Sequence, residues 1–310
     1  MNTEERNQFI KEEALKLGFE ASGVAAVRVL EEERPHLADY LEKNRNASMA
    51  YMERNTEKRL NPALLVEGAK TLISVLYNYY HDLLPRETQY KVSMYARGVD
   101  YHHVIKGRLQ QLADRITEVL GPHEYRIFTD SAPILEKAWA RQAGLGWIGK
   151  NTCLIHPKKG SWFFIGEIIT TMEVKADTPM EERCGNCTRC LDACPTGALT
   201  APGILDSKKC IAYLTIEHRG HFPEDLAVDF HKQVFGCDIC QQICPWNRLA
   251  LPNEEPLFQT NKFVENLEEE GTTSDSESSF KKRFRNTALY RSGEKNIQRN
   301  IQYIDQLIRK

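Results

Sequence analysis

Nine cysteines stand in a chain of 310 residues, and seven of them fall into two closely spaced runs. In CGNCTRCLDACP, Cys184, Cys187 and Cys190 come at steps of three, followed by Cys194 and Pro195. In CDICQQICP, Cys237, Cys240 and Cys244 are followed by Pro245. Three thiolates at three-residue steps wrap around one face of an iron–sulfur cubane, and the fourth cysteine of such a run, next to a proline, ligates a neighbouring cluster. The second run lacks a leading cysteine: Val234 holds that place, and Cys210 in DSKKCIAYL is the substitute. The count then closes. Cys184, Cys187, Cys190 and Cys244 are expected to hold one [4Fe–4S] cluster, and Cys194, Cys210, Cys237 and Cys240 the other. Zinc is the first alternative, but structural zinc sites favour two CxxC or CxxH pairs separated by a loop. Cys153, in GKNTCLIH, is left over and reads as a small buried residue.

Composition narrows the setting. Hydrophobic residues make up 41% and charged residues 27%, the balance of an ordinary globular chain. A formal net charge of −2 excludes a polycation, so any nucleic-acid contact must come from a local patch. The N-terminal stretch MNTEERNQFIKEEALKLGFEASG has neither a basic n-region nor an apolar h-region, and no apolar run approaches the ~20 residues of a membrane helix. A cytoplasmic protein that does not enter membranes is expected. Thiols in that reducing compartment bind metal or react more often than they staple.

The rest of the chain must position the cysteines. Residues 4–17 have helical apolar spacing, and ASGVAAV reads as a strand. RPHLADYLEKNRNASMAYMER is a second, broken helical region, and TLISVLYNYY is a buried strand. YHHVIKGRLQQLADRITEVLG is an amphipathic helix with Gly121 at its end. YRIFTD is a short strand ending at Asp130, APILEKAWARQAGLG is a helix with Pro133 in its first turn, and WFFIGEIITTMEV is a strand. Strands alternating with helices over 1–175 imply a domain of the α/β or α+β class. A two-cluster domain follows over 176–250, and a short basic helical tail over 251–310. Within that tail, residues 265–279 read as an acidic, exposed connector. From Lys281 onward nine Lys/Arg face two acids, either a solvated face or a surface for a phosphate backbone.

Two adjacent clusters make an electron wire, and a wire needs a terminus. About 175 residues of leading domain are too many for a simple ferredoxin, so that domain should hold the acceptor. It has no GxGxxG opening a helix and no P-loop, which leaves Rossmann-bound flavin or nicotinamide unsupported. GLGWIGKN is glycine-rich but marks a turn as readily as a phosphate loop. The corrinoid pattern D-x-H-x-x-G is also missing: DYHHVIKG has the wrong spacing.

Several stretches together resemble the epoxyqueuosine reductases: EKRLNPALL, ARGVDYH, FTDSAPILEKAWARQAGLGWIGKN, GSWFFIGEI, the first cysteine run and GCDICQQICPWN, with RSGEKNIQRN near the end. The resemblance implies a nitroreductase-like domain that holds base-off cobalamin and a ferredoxin-like domain that reduces it. It also implies a tRNA substrate whose wobble base carries an epoxide, and an external electron donor such as ferredoxin or flavodoxin. A monomer is expected. By the same resemblance Asp130 is the proton donor, although Asp130 or Ser131 would also suit a helix N-cap. To carry a proton at neutral pH, an aspartate must be raised by burial. Matched positions give Arg59, Ser93, Lys150, Asn151, Thr152 and Ser161 as cobalamin contacts. Tyr101, His102 and Arg141 are weaker candidates for the substrate pocket. Arg97, Arg141, Lys281, Lys282, Arg283, Arg285 and Arg299 are candidates for tRNA phosphates. Two rival readings keep the clusters: a corrinoid reductive dehalogenase, and an electron-transfer module without an organic cofactor.

Overall fold

The computed structural model describes residues 1–81, 87–223, 226, 228–271 and 276–309. Its main sheet has four strands in the order Ala21–Ala26, Thr71–Asn78, Phe163–Thr170, Tyr125–Phe128, and every neighbouring pair is antiparallel. The domain is therefore α+β in character, not a parallel doubly wound sheet. All eight residues of Thr71–Asn78 are buried, because helices cover both faces of the strand. The helices Thr3–Lys16 and Tyr101–Leu120 pack Ile10, Ala14, Ile105, Leu109 and Leu112 against Ile73, Val75 and Ile168. On the opposite face the helix Glu136–Gln142 packs Ala138, Trp139 and Ala140 against Leu72, Leu76 and Ile169. Glycine at 23 permits that second contact: a Cβ there would stand 2.0 Å from the Ala143 carbonyl oxygen.

The helix before the first cysteine run starts later than its sequence implies. It begins at Glu136, so Pro133 lies in the preceding loop. Asp130 sits in that loop with φ at +47°, a left-handed backbone uncommon for a residue with a side chain. Its amide reaches forward to Glu136 Oε1 at 2.6 Å. That bond turns the chain and delays the first helical turn.

The basic tail packs its apolar residues inward and leaves Lys281, Lys282 and Arg285 exposed. Phe280, Phe284, Leu289, Ile297 and Ile304 join one core with Tyr90, Val92, Ile211, Phe230, Val234 and Phe235. The strand Gln233–Phe235 pairs in parallel with Lys91–Val92, so chain from all three sequence regions meets there. Of the acidic stretch 265–279, residues up to Glu270 belong to the helix Lys262–Glu270. Residues 272–275 lie outside the described residues. Among the described residues no helix is long and apolar enough to cross a membrane.

Candidate active site and cluster loops

The thiols divide into two groups. Cys190 is raised by burial, with Cys184 and Cys244 beside it. Burial likewise raises Cys237, to about 12, and its neighbours are Cys210 and Cys194. Cys240 is raised first by a hydrogen bond with Cys153 and then by burial, with Cys237 and Cys210 nearby. These neighbourhoods follow the 184/190/244 and 194/210/237/240 division. Among the described residues no three acidic, histidine or cysteine side chains converge at the spacing of a single metal ion.

The donors around the sulfurs suit an anionic cluster. Backbone N–H groups of Leu199, Thr196 and Ala198 reach Cys194, and those of Tyr213 and Ala212 reach Cys210. Trp246 and Asn247 supply Cys244 in the same way, and Trp147 Nε1 donates to Cys184 Sγ at 3.4 Å. Hydrogen bonds to cluster sulfurs are one of the levers by which a protein stabilises such a cofactor. Cys153, the ninth thiol, rests against Cys240 and is half-buried, against the full burial expected from its sequence.

A cleft opens between the leading domain and the cluster region. One lobe, of about 340 Å³, is lined by Tyr95, Tyr101, Asp130, Cys210, Tyr213 and Phe235, among others. The other, of about 670 Å³, includes Tyr51, Arg59, Asp130, Glu136 and Ile148. Both share Asp130, Glu217 and Arg291, so Asp130 stands at their junction and Cys210 on the wall of one. Aromatic walls with a few converging polar groups are the usual make-up of an organic-ligand site.

Asp130 does not cap the helix behind it. The helix Glu136–Gln142 has Leu135 at its N-cap and no side-chain cap bond. Instead the Tyr101 hydroxyl donates to Asp130 Oδ2 at 2.6 Å, while His102 Nε2 stands 3.8 Å from the same oxygen. Tyr101 is itself stacked on Phe164, centroids 4.2 Å apart, and on His102. Burial raises Tyr101 well above the usual phenol range, so it stays protonated and donates. The Asp130 side chain is 57% exposed, contrary to the burial expected of a proton-carrying aspartate.

The comparisons with known proteins agree on one family. A family model described as Epoxyqueuosine reductase QueG, DUF1730 matches residues 59–131, and a 4Fe-4S double cluster binding domain matches 183–247. A relative from Cellulophaga algicola named epoxyqueuosine reductase is 44% identical over 305 residues, covering 98% of this chain and 100% of its own. The chain belongs to the epoxyqueuosine reductase family. A Pseudomonas aeruginosa epoxyqueuosine reductase is 43% identical, covering 95% of this chain and 83% of its own. Among solved structures, an epoxyqueuosine reductase with a tRNA-Tyr epoxyqueuosine-modified stem loop superposes with a TM-score of 0.89 at 27% identity, covering 98% of this chain and 81% of that one. A Bacillus subtilis epoxyqueuosine reductase, with its aspartate-bearing catalytic loop swung out of the active site, superposes with a TM-score of 0.85 at 28% identity, covering 98% and 82%. The family are oxidoreductases, and this chain is one.

Within this epoxyqueuosine reductase fold the remaining sequence candidates separate into three groups. Arg59 lines the larger lobe: its Nη2 donates to the Tyr51 carbonyl at 2.8 Å, while its Nε is buried without a partner. Lys150, Asn151, Thr152, Ser161 and Ser93 are absent from the lining of both lobes. The Lys150 ammonium donates to the Gly185 and Cys187 carbonyls, and Asn151 Nδ2 donates to Cys240 O at 3.2 Å. Thr152 has φ at +65°, and its carbonyl accepts from Lys137 Nζ at 2.8 Å. The Ser161 amide donates to Asn247 Oδ1 at 2.6 Å, and the Ser93 hydroxyl bonds Asp238. Apart from Thr152, these residues clasp the loops that carry the cysteines, so their polar atoms are already engaged.

The cationic candidates divide the same way. Arg97 pairs with the buried Glu268, and Arg141 pairs with Glu33 at 2.8 Å. Arg299 stacks over Phe222 at 4.1 Å and donates to the Leu214, His218 and Gly220 carbonyls, so it is a core brace. Arg283 lies 5.9 Å over the Phe263 ring, and Lys281 pairs with Glu277 at 2.8 Å. Lys282 and Arg285 are exposed. Sequence reasoning missed Arg291 and Glu217, which pair at 2.8 Å at the junction of the lobes. It also missed Glu136, whose one signal is its place six residues after Asp130.

Proposed function

We propose that this chain reduces epoxyqueuosine to queuosine at the wobble position of tRNA, with base-off cobalamin in the cleft and two [4Fe–4S] clusters on the eight cysteines. One observation carries the reading: Asp130 and the thiol-bearing Cys210 line the same aromatic-walled cleft. Cobalamin, when bound, supplies the reducing metal centre that opens the epoxide. The unpartnered Arg59 Nε is a buried donor that a corrinoid amide or phosphate oxygen would satisfy.

Asp130 supplies the acid. Opening an epoxide puts negative charge on its oxygen, and a positioned acid lowers that barrier by protonating the oxygen as the bond breaks. The Tyr101 hydroxyl fixes Oδ2 and leaves Oδ1 to carry the proton toward the cleft. A modified anticodon loop over the cleft would exclude water from Asp130 and bury its carboxyl. The exposed Lys282 and Arg285 lie on the helix Glu277–Phe284 and at its end, suited to a phosphate backbone.

Reconstitution tests the proposal. The chain loaded with corrinoid and iron should contain about one cobalt to eight irons. Given a reductant, it should convert epoxyqueuosine-bearing tRNA to queuosine, read by mass spectrometry of its nucleosides. Iron without cobalt at saturating corrinoid would reject the reading in favour of an electron-transfer module. Arg59→Met should weaken corrinoid binding about tenfold to a hundredfold, the range of a hydrogen bond to a charged donor, while iron content stays unchanged. An absorbance titration reads it, and unchanged affinity would remove Arg59 from the site. Lys282→Glu with Arg285→Glu should weaken tRNA binding and flatten the slope of log affinity against log salt by about 2. An unchanged slope would place the tRNA elsewhere.

A further inference from the structure

Two carboxyl groups behind Asp130 have no part in the chemistry described so far. Glu167 lies on the strand Phe163–Thr170 and is 0% exposed, and both of its carboxyl oxygens lack a hydrogen-bond partner. It stands opposite Ser74 on one neighbouring strand and Phe128 on the other. The Ser74 hydroxyl is near enough to favour the charged form slightly, but neither group makes a well-formed bond. Glu167 shares its face of the sheet with the helix Glu136–Gln142, and Glu136 is its acidic neighbour. Glu136 lines the cleft and accepts the Asp130 amide.

A fully buried carboxylate without donors is costly, so such a group holds its proton. Burial raises Glu167 well above the carboxylate range, with Glu136 adding to it. Burial also raises Glu136 to about 8, helped by the charge of Asp130 and opposed by the Asp130 amide and Lys137. Among the described residues no basic side chain pairs with either carboxyl.

The reaction proposed above consumes two electrons and two protons. The first proton leaves the Asp130 carboxyl and bonds to the epoxide oxygen as the carbon–oxygen bond opens. The second joins the resulting hydroxyl, which departs as water while the carbon–carbon double bond forms. The reduced enzyme supplies both electrons. Asp130 carries one proton at a time, and tRNA over the cleft would restrict exchange with bulk water.

We propose that Glu136 and Glu167 form a proton store that reloads Asp130 within each turnover, Glu136 passing the proton at the cleft wall and Glu167 holding the reserve beneath the helix. This rests on the reading of Asp130 as the acid. The store is full below the raised range of Glu136 and empties as pH rises through about 8.

Two measurements test it. Infrared spectra of the cofactor-free chain at neutral pH should contain protonated-carboxyl stretches, and Glu167→Gln should remove one. In the reduced holoenzyme, Glu136→Gln and Glu167→Gln should each slow single-turnover conversion by about tenfold to a hundredfold, less than the about 10²- to 10⁴-fold of losing the acid itself, because Asp130 remains. The double variant should be no slower than either single one, and in Glu136→Gln the alkaline limb near pH 8 should disappear. Glu136 lines the cleft, so its variant keeps the test open if a change at 167 prevents folding. Wild-type rates and an unchanged alkaline limb in both variants would overturn the store, as would an absent carboxyl band. If Asp130→Asn also keeps wild-type turnover, the reading of Asp130 fails instead, so the two failures are distinct.

Discussion

Asp130→Asn is expected to bind corrinoid, iron and tRNA as the parent does, yet to convert epoxyqueuosine about 10²- to 10⁴-fold more slowly. Asparagine keeps the size of the side chain and an acceptor for the Tyr101 hydroxyl, so the loop geometry should survive. What it lacks is an acidic proton. Asparagine also tolerates the left-handed backbone at this position, where φ is +47°. A loss of turnover with intact cofactors therefore isolates proton delivery. Single-turnover conversion in the pre-reduced holoenzyme is the measurement, because it leaves out electron supply and product release. Turnover within a few-fold of the parent would return Asp130 to a purely architectural part.

The second large effect concerns the cluster nearer the cleft. Cys210→Ala should lower iron from about eight to about four per chain and abolish steady-state turnover. Cys210 stands outside both runs, just before the helix Ile211–Ile216, and two backbone N–H groups already point at its sulfur. The contrast is Cys153→Ala. Cys153 touches Cys240 but is surplus to the eight ligands, so its loss should leave the iron count whole. Colorimetric iron and electron paramagnetic resonance of the reduced protein read both. A full iron count in Cys210→Ala would break the assignment of ligands and point to Cys153 as the substitute.

The pattern of elements was largely legible. Apolar spacing located the helices Thr3–Lys16 and Tyr101–Leu120 and the strands Thr71–Asn78 and Phe163–Thr170. Cysteine spacing, with Cys210 added from outside the two runs, proposed two sets of four, and Cys190 lies beside Cys184 and Cys244 while Cys237 lies beside Cys210 and Cys194. Periodicity failed where a long-range bond decides the local backbone. Pro133 looked like a helix start, but Glu136 Oε1 accepts from the Asp130 amide and holds the turn open. Residues 265–270 looked like connector, but Val264 and Leu267 are fully buried and Glu268 accepts from the Val92 amide. The polar residues of GKNT looked free to meet a cofactor. The partners of Lys150 and Asn151 lie some 35 to 89 positions away, and alternation along a chain reports faces, not partners. The strand directions were illegible for the same reason: alternation of strand and helix fits parallel and antiparallel sheets alike.

The clasp of Lys150, Asn151, Ser161 and Ser93 on the cysteine-bearing loops has a consequence for assembly. The iron-carrying segment is no detachable plug. Its loops are anchored by hydrogen bonds from the leading domain, to the carbonyls of Gly185, Cys187 and Cys240 and to the side chains of Asn247 and Asp238, so the separation between inorganic core and reaction chamber is set once, when the chain folds. Grafting a free-standing ferredoxin in its place would leave those anchors dangling and the gap for electron hopping undefined.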